Sequence, residues 1–178
     1  MVQLVPKSRG RTTAHMVAHT TDPDQDRIVY PAHLKWSCIR CTRSCRDVPS
    51  RKRNILLTSR DIDRIASVSR FRREDFSVAS GLGFPYERRM KKLKGRCMFL
   101  RGSKCSIYNA RPLICRFYPF FLERLEGGQL RIGFDGACSG VGKGKFRNEG
   151  FFRELVRLAR RELTPEWTSL AEDEQSSC

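Results

Sequence analysis

The chain has 178 residues, 39% of them hydrophobic and 30% charged, with a formal net charge of +16. That is enough for one domain with a modest core and cramped for two, and no stretch approaches the ~20 consecutive apolar residues of a membrane span. The charge is uneven: residues 34–163 hold 31 basic against 12 acidic side chains, while 164–178 hold four acidic and no basic ones.

Residues 1–27 are polar and aperiodic, and 1–33 read as a flexible N-terminal arm. They lack the continuous apolar run of a secretory signal, so a cytoplasmic protein with reduced thiols is expected. A short apolar-aromatic approach, Ile28-Val29-Tyr30 through Trp36, leads into the first cysteines. Thr58 stands three residues before Asp61, the spacing of a capping box, and Ile62, Ile65, Ala66 and Val68 then share a face, so a short capped helix is predicted over about 58–69. Asp61 as a catalytic carboxylate is the rival reading, and capping explains it without chemistry.

Residues 71–80 read as a second short helix, broken by Gly81-Leu82-Gly83-Phe84-Pro85. Residues 90–100 read as a strand pair carrying Cys97. Two apolar runs, 120–122 and 130–134, flank Gly127-Gly128 as the arms of a β-hairpin. Residues 136–144 read as a glycine-rich loop. Asn148 is the N-cap of an amphipathic helix over about 149–163, with Phe151, Phe152, Leu155, Val156, Ala159 and Leu163 along its inner stripe. Residues 164–178 read as an acidic disordered tail. The expected fold is a small irregular α+β domain over 34–163, stapled by metal because the core is thin.

Eight cysteines are available for that staple. Cys178 ends the tail and is set aside. Cys38, Cys41 and Cys45 fall within eight residues, and Cys97, Cys105, Cys115 and Cys138 follow. A CxxC pair lets two thiolates reach one metal from a tight turn, and three bunched thiolates can hold three corners of an iron–sulfur cluster. An odd set of seven argues against a closed disulfide framework. A redox thiol pair without metal is the alternative, with Arg40, Arg43 and Arg46 lowering thiol pKa values. His33 is near enough to Cys38 in sequence to be a spare ligand. The Gly140-Val141-Gly142-Lys143-Gly144 run fails the phosphate-loop pattern, since Gly144 stands where a Ser or Thr would hold Mg²⁺. No enzyme active site emerges.

Cys97-Met98-Phe99-Leu100, Cys105-Ser106-Ile107-Tyr108-Asn109-Ala110-Arg111-Pro112 and Cys115-Arg116-Phe117-Tyr118-Pro119, taken with the first cluster, Leu57-Thr58-x-x-Asp61 and Cys138, resemble the signature of the YkgJ-type cysteine-cluster family. That family is described as zinc- or iron-chelating, and its pattern also occurs in the N-terminal part of flagellin lysine methylases. The resemblance implies a metal-binding module and leaves no room for a methylase domain. The chain departs from the family pattern at Ser44-Cys45, where the family usually has a double cysteine. Arg111-Pro112 reads as a stiff turn feeding Cys115. Arg111 and Arg116 read as counter-charges to thiolate, and Tyr108, Phe117, Tyr118, Phe120 and Phe121 as an apolar shell, with a base-stacking platform as the alternative.

The expected function is therefore a cysteine-ligated metal module holding an iron–sulfur cluster, such as 4Fe–4S, or Zn²⁺, in a redox or accessory role. A nucleic-acid-binding adaptor with structural zinc is the alternative from the basic surface. A protein partner docking on the tail or the final helix is a third reading.

Overall fold

The computed structural model describes residues 2–5, 16–19, 27–49 and 51–163. The chain divides into two compact units. One is built from Met1–Ile39 and Phe117–Cys178, the other from the intervening Arg40–Arg116. The span expected as a single cysteine-cluster domain is thus shared between a discontinuous unit and a continuous one.

In the discontinuous unit the expected hairpin forms: strand Phe120–Arg124 pairs antiparallel with Leu130–Phe134, Phe120 opposite Phe134 and Leu122 opposite Ile132. Strict alternation drives it, because Leu130, Ile132 and Phe134 point inward while Arg131 and Gly133 do not. Gly133 cannot carry a side chain, since a Cβ there would lie 2.2 Å from the Phe121 ring. The hairpin is the middle of a five-stranded sheet completed by Val2–Val5 on one side and by Ile28–Pro31 and Met16–His19 on the other. All pairings are antiparallel except that of Leu130–Phe134 with Ile28–Pro31.

Three strands therefore lie in the stretch read as an arm. Main-chain pairing to a ready edge asks little of side-chain periodicity. Residues 1, 6–15 and 20–26 of that stretch, and the acidic tail, fall outside the described residues.

Helix Glu149–Glu162 forms as expected, with the Asn148 side chain accepting from the Phe151 N–H at its start, and it packs on the sheet. Phe152, Leu155, Val156 and Ala159 are buried, and Phe152 stacks on Tyr30 with centroids 4.9 Å apart. Residues 136–144 are less of a loop than their glycines suggest. Val141–Phe146 is a strand paired with Lys35–Trp36, and its ladder slips between Val141 and Phe146, where Gly142 and Gly144 take positive φ of 80° and 75°. Gly140 sits so close to this pairing that a Cβ would lie 2.2 Å from the Ser37 carbonyl oxygen.

The continuous unit is built on helix Ser59–Ser69, which has the full reciprocal capping box between Thr58 and Asp61. Residues 71–80 are only partly helical: one turn, Arg73–Phe76, gives way to strand Ser77–Ala79. That strand joins Arg88–Met90 and Leu56–Leu57 in a three-stranded sheet. Two tight hairpins follow, Lys92–Leu93 with Arg96–Cys97 and Leu100–Arg101 with Lys104–Cys105. A 3₁₀ turn, Tyr108–Ala110, and the short helix Leu113–Phe117 close the unit. Its core gathers Ile55, Leu57, Ile62, Ile65, Phe76, Phe99 and Ile107. The fold is thus a small mixed α+β arrangement of short strands, two short helices and a longer C-terminal one. Among the described residues no helix is long and apolar enough to cross a membrane.

Candidate metal centre

The first cysteine cluster turns sharply. Arg40 and Thr42 both adopt left-handed backbone, with φ of 52° and 61°, and the Cys45 N–H donates to the Thr42 carbonyl at 2.8 Å. Two non-glycine residues in that region within three positions is costly, and such strain is characteristic of functional turns. The turn delivers Cys45 to the 92–97 hairpin: the Cys97 N–H donates to the Cys45 carbonyl at 2.8 Å, and the Asp47 N–H to the Gly95 carbonyl at 2.7 Å. Residues 45–47 thus lie beside 95–97 through an isolated antiparallel bridge between Arg46 and Arg96. Asp47 is held there by Lys92, 2.7 Å away, and by the Arg53 N–H, which together keep its carboxyl below the usual range.

Cys105 sits opposite Leu100 in the next hairpin. Cys115 rides on helix Leu113–Phe117, and the start of that helix is tied down by Asp61, whose Oδ1 accepts from the Leu113 N–H at 3.0 Å. Asp61 is fully buried. The same carboxylate also accepts from the Thr58 N–H and pairs with Arg64. It therefore holds the starts of two helices at once.

These four carriers place Cys45, Cys97, Cys105 and Cys115 in one electrostatic neighbourhood. Cys45 and Cys105 act on Cys97, Cys45 acts on Cys105, and Cys45, Cys97 and Cys105 all act on Cys115, as does Asp61. Burial is the largest cause in each case: it raises the Cys97 thiol to about 11, and raises Cys105 and, further, Cys115. Opposing this, the N–H groups of Phe99 and Leu100 reach the Cys97 sulfur, that of Ile107 reaches Cys105, and Arg111 acts on Cys105. Such N–H···S contacts stabilise thiolate.

Cys41 lies in the same unit, half-buried, and is not among the groups that shift these thiols. Cys38, exposed, and Cys138, half-buried, belong to the discontinuous unit, near the Ser37–Gly140 main-chain contact. His33 is exposed in that unit, edge-on to Phe146. The Ser44 hydroxyl lies 3.7 Å from the Cys45 sulfur.

The expected aromatic shell is only partly as read. Tyr108 is exposed, and Phe120 packs with Trp36, Phe151 and Phe152. The apolar groups grouped with the thiols are instead Phe76, Phe99, Leu100 and Ile107. Asp47 and the tie from Asp61 to Leu113 escaped sequence reading. Only the first half of the Asp61 role, the local cap, leaves a signal in spacing.

Among the described residues, no three His, Cys, Asp or Glu side chains converge tightly enough to hold one ion. The donor type nonetheless suits a thiophilic metal: four unbridged thiols, mutually coupled, with N–H groups aimed at sulfur. One consequence is measurable on metal-free protein. An unfolded thiol ionises near its ordinary 9.0, whereas folded Cys97 stays protonated to about 11. Between those values the unfolded chain binds fewer protons, so stability is full below pH 9 and falls as pH rises toward 11. Denaturant melts of chelator-treated protein across this window should lose about 3 kcal/mol through Cys97 alone. Cys97→Ala should lessen the loss without abolishing it, because Cys105 and Cys115 are raised as well, and an equal slope in that variant would refute the assignment.

Comparison with known proteins follows the same residues. The model of a family described as "Putative zinc- or iron-chelating domain" matches residues 37–139. An uncharacterized protein of Methanocaldococcus jannaschii is 31% identical over 138 residues, covering 72% of this chain and 71% of that protein. No solved structure matches. With the match spanning more than half of its length, from the first cysteine turn to Cys138, the chain belongs to the CxxCxxCC family.

Proposed function

We propose that this protein is a metal-binding module whose centre is held by Cys45, Cys97, Cys105 and Cys115, carrying an iron–sulfur cluster or a zinc ion in a redox or accessory role. The observation that supports it is that Cys45, Cys105 and Cys115 pack against the core cluster that contains Cys97, within one continuous unit. Four thiolates complete either a tetrahedral zinc site or the ligation of a 4Fe–4S cluster. A bound cluster would supply one-electron chemistry, and a bound zinc ion would staple the unit.

The chain's own residues prepare the site. The bridged 45–47 and 95–97 segments hold two thiols side by side, Asp61 fixes the helix carrying the fourth, and Phe99, Leu100 and Ile107 offer N–H groups to sulfur. Cys38, Cys41 and Cys138 are the remaining thiols of the expected set, and the reading makes them auxiliary.

The deciding experiment is iron, zinc and acid-labile sulfide content, with a visible spectrum, on protein purified without oxygen. Iron with sulfide and a broad visible band identifies a cluster, and about one zinc per chain without colour identifies a staple. Protein containing neither metal, with every thiol titrating freely, overturns the proposal in favour of metal-free thiol chemistry.

A further inference from the structure

The two hairpins that carry thiols inward carry cations outward. Arg46 and Arg96 are direct bridge partners, flanked by the hydrogen bonds Cys97 N–H to Cys45 carbonyl and Asp47 N–H to Gly95 carbonyl. That makes them a non-hydrogen-bonded pair, the type in which opposed Cα atoms approach to about 4.5 Å. In the second hairpin Arg101 is paired with Lys104. Side chains alternate across a strand, so Cys45, Cys97 and Cys105 face one way and their neighbours Arg46, Arg96 and Lys104 the other. All four cations are exposed.

Like charges directly opposed across a ladder are destabilising, and the Arg96 and Arg101 guanidiniums meet only main-chain carbonyls among the described residues, those of Gly102 and Met98. Among the described residues no carboxylate pairs with Arg46, Arg96, Arg101 or Lys104. The nearby Asp47 is committed to Lys92. Instead, the Arg96 guanidinium donates to the Gly102 carbonyl at 3.1 Å, which joins the first hairpin to the turn of the second and makes the four cations one ridge. From Arg88 to Arg116 there are ten basic residues and no acidic one.

Beyond the second hairpin, in the same unit, Tyr108 is 42% exposed. The Arg111 and Arg40 guanidiniums lie 3.7 and 5.5 Å from its ring centroid.

We propose that the ridge Arg46–Arg96–Arg101–Lys104, with the Tyr108 platform, binds single-stranded nucleic acid. The ridge tracks the phosphate backbone, and a base stacks on the tyrosine-arginine surface. Unrelieved cross-strand repulsion is what an anion would relieve. The exposed aromatic ring points to a ligand with flat bases rather than to a bare anionic surface. The inference does not depend on which metal the thiols hold, or whether they hold one.

The test is fluorescence anisotropy of the full chain with a labelled single-stranded oligothymidylate at about 50 and 200 mM salt. Arg101→Gln with Lys104→Gln should weaken binding about tenfold and reduce the salt slope by about 1.4, two phosphate contacts at ~0.7 each. Tyr108→Ala should cost roughly tenfold, with Tyr108→Phe restoring it. Lys143→Gln with Lys145→Gln, both exposed on strand Val141–Phe146 of the other unit, is the control and should change affinity less than about twofold. Equal weakening by the control pair, an unchanged slope in the ridge pair, or tighter binding to phosphatidylglycerol vesicles than to the oligonucleotide would each overturn the proposal. Melting curves and metal content identical to the parent's separate loss of binding from loss of fold and from any failure of the metal reading.

Discussion

Cys115→Ser is expected to leave the purified protein with about a tenth or less of its metal and to make the folded state markedly less stable. Cys115 is the informative position because its thiol feels Cys45, Cys97 and Cys105 together. A serine hydroxyl stays protonated at neutral pH and is a hard oxygen donor, so a soft metal keeps only three good ligands. Metal that binds the folded and not the unfolded chain contributes to stability by mass action, about 4 kcal/mol when present at a thousandfold over its Kd. Losing that contribution would lower the melting temperature by roughly 20 °C for a unit of this size. Elemental analysis beside thermal melts checks both parts. Cys178→Ser is the control, since that residue ends the tail. Full metal content in Cys115→Ser would exclude Cys115 from the centre.

Asp61→Ala should be the most destabilising change away from the thiols. The side chain is fully buried and its oxygens accept from the Thr58 N–H at 3.1 Å and the Leu113 N–H at 3.0 Å, and pair with Arg64. Removing it takes the acceptor from two N–H groups and the paired carboxylate from Arg64 at once, at a cost of about 3–5 kcal/mol. Asp61→Asn keeps an acceptor but no charge for Arg64, and should lose about half as much. Because Leu113 opens the helix that holds Cys115, metal affinity should also fall, by about 10–100-fold, as for other outer hydrogen-bond partners of metal ligands. Urea melts and chelator competition measure the two effects. An Asp61→Ala protein that melts with the parent would show that the buried network carries no weight.

The contrast between these two positions explains what could be read from sequence. Both main helices were legible because their signals are local. Thr58 and Asp61 cap one, Asn148 caps the other, and apolar residues recur at helical spacing between the ends. The 120–134 hairpin was legible from alternation around Gly127-Gly128. Residues 141–146 were not, because glycine and lysine alternate there without a β-branched run, and pairing with Lys35–Trp36 comes from a distant segment. The seven thiols were visible as a set, but their sorting was not. Cys45 meets Cys97 only through a bridge between segments some fifty residues apart. The second duty of Asp61, toward Leu113, is hidden for the same reason.

The order of the units along the chain also bears on how the molecule is made. Arg40–Arg116 is contiguous, and all four coupled cysteines lie within it, whereas the five-stranded sheet needs strands from both sides of that segment. On a ribosome the inner unit is finished before Phe120–Arg124, the strand next to the middle of the sheet, has been synthesised. Segments that emerge together can close short loops at once, and units generally fold as they become complete during synthesis. The Arg40–Arg116 unit can therefore close its core around Cys97 while the other unit is still waiting for its second half. Its cysteines would be the first part of the protein to be shielded from oxidation.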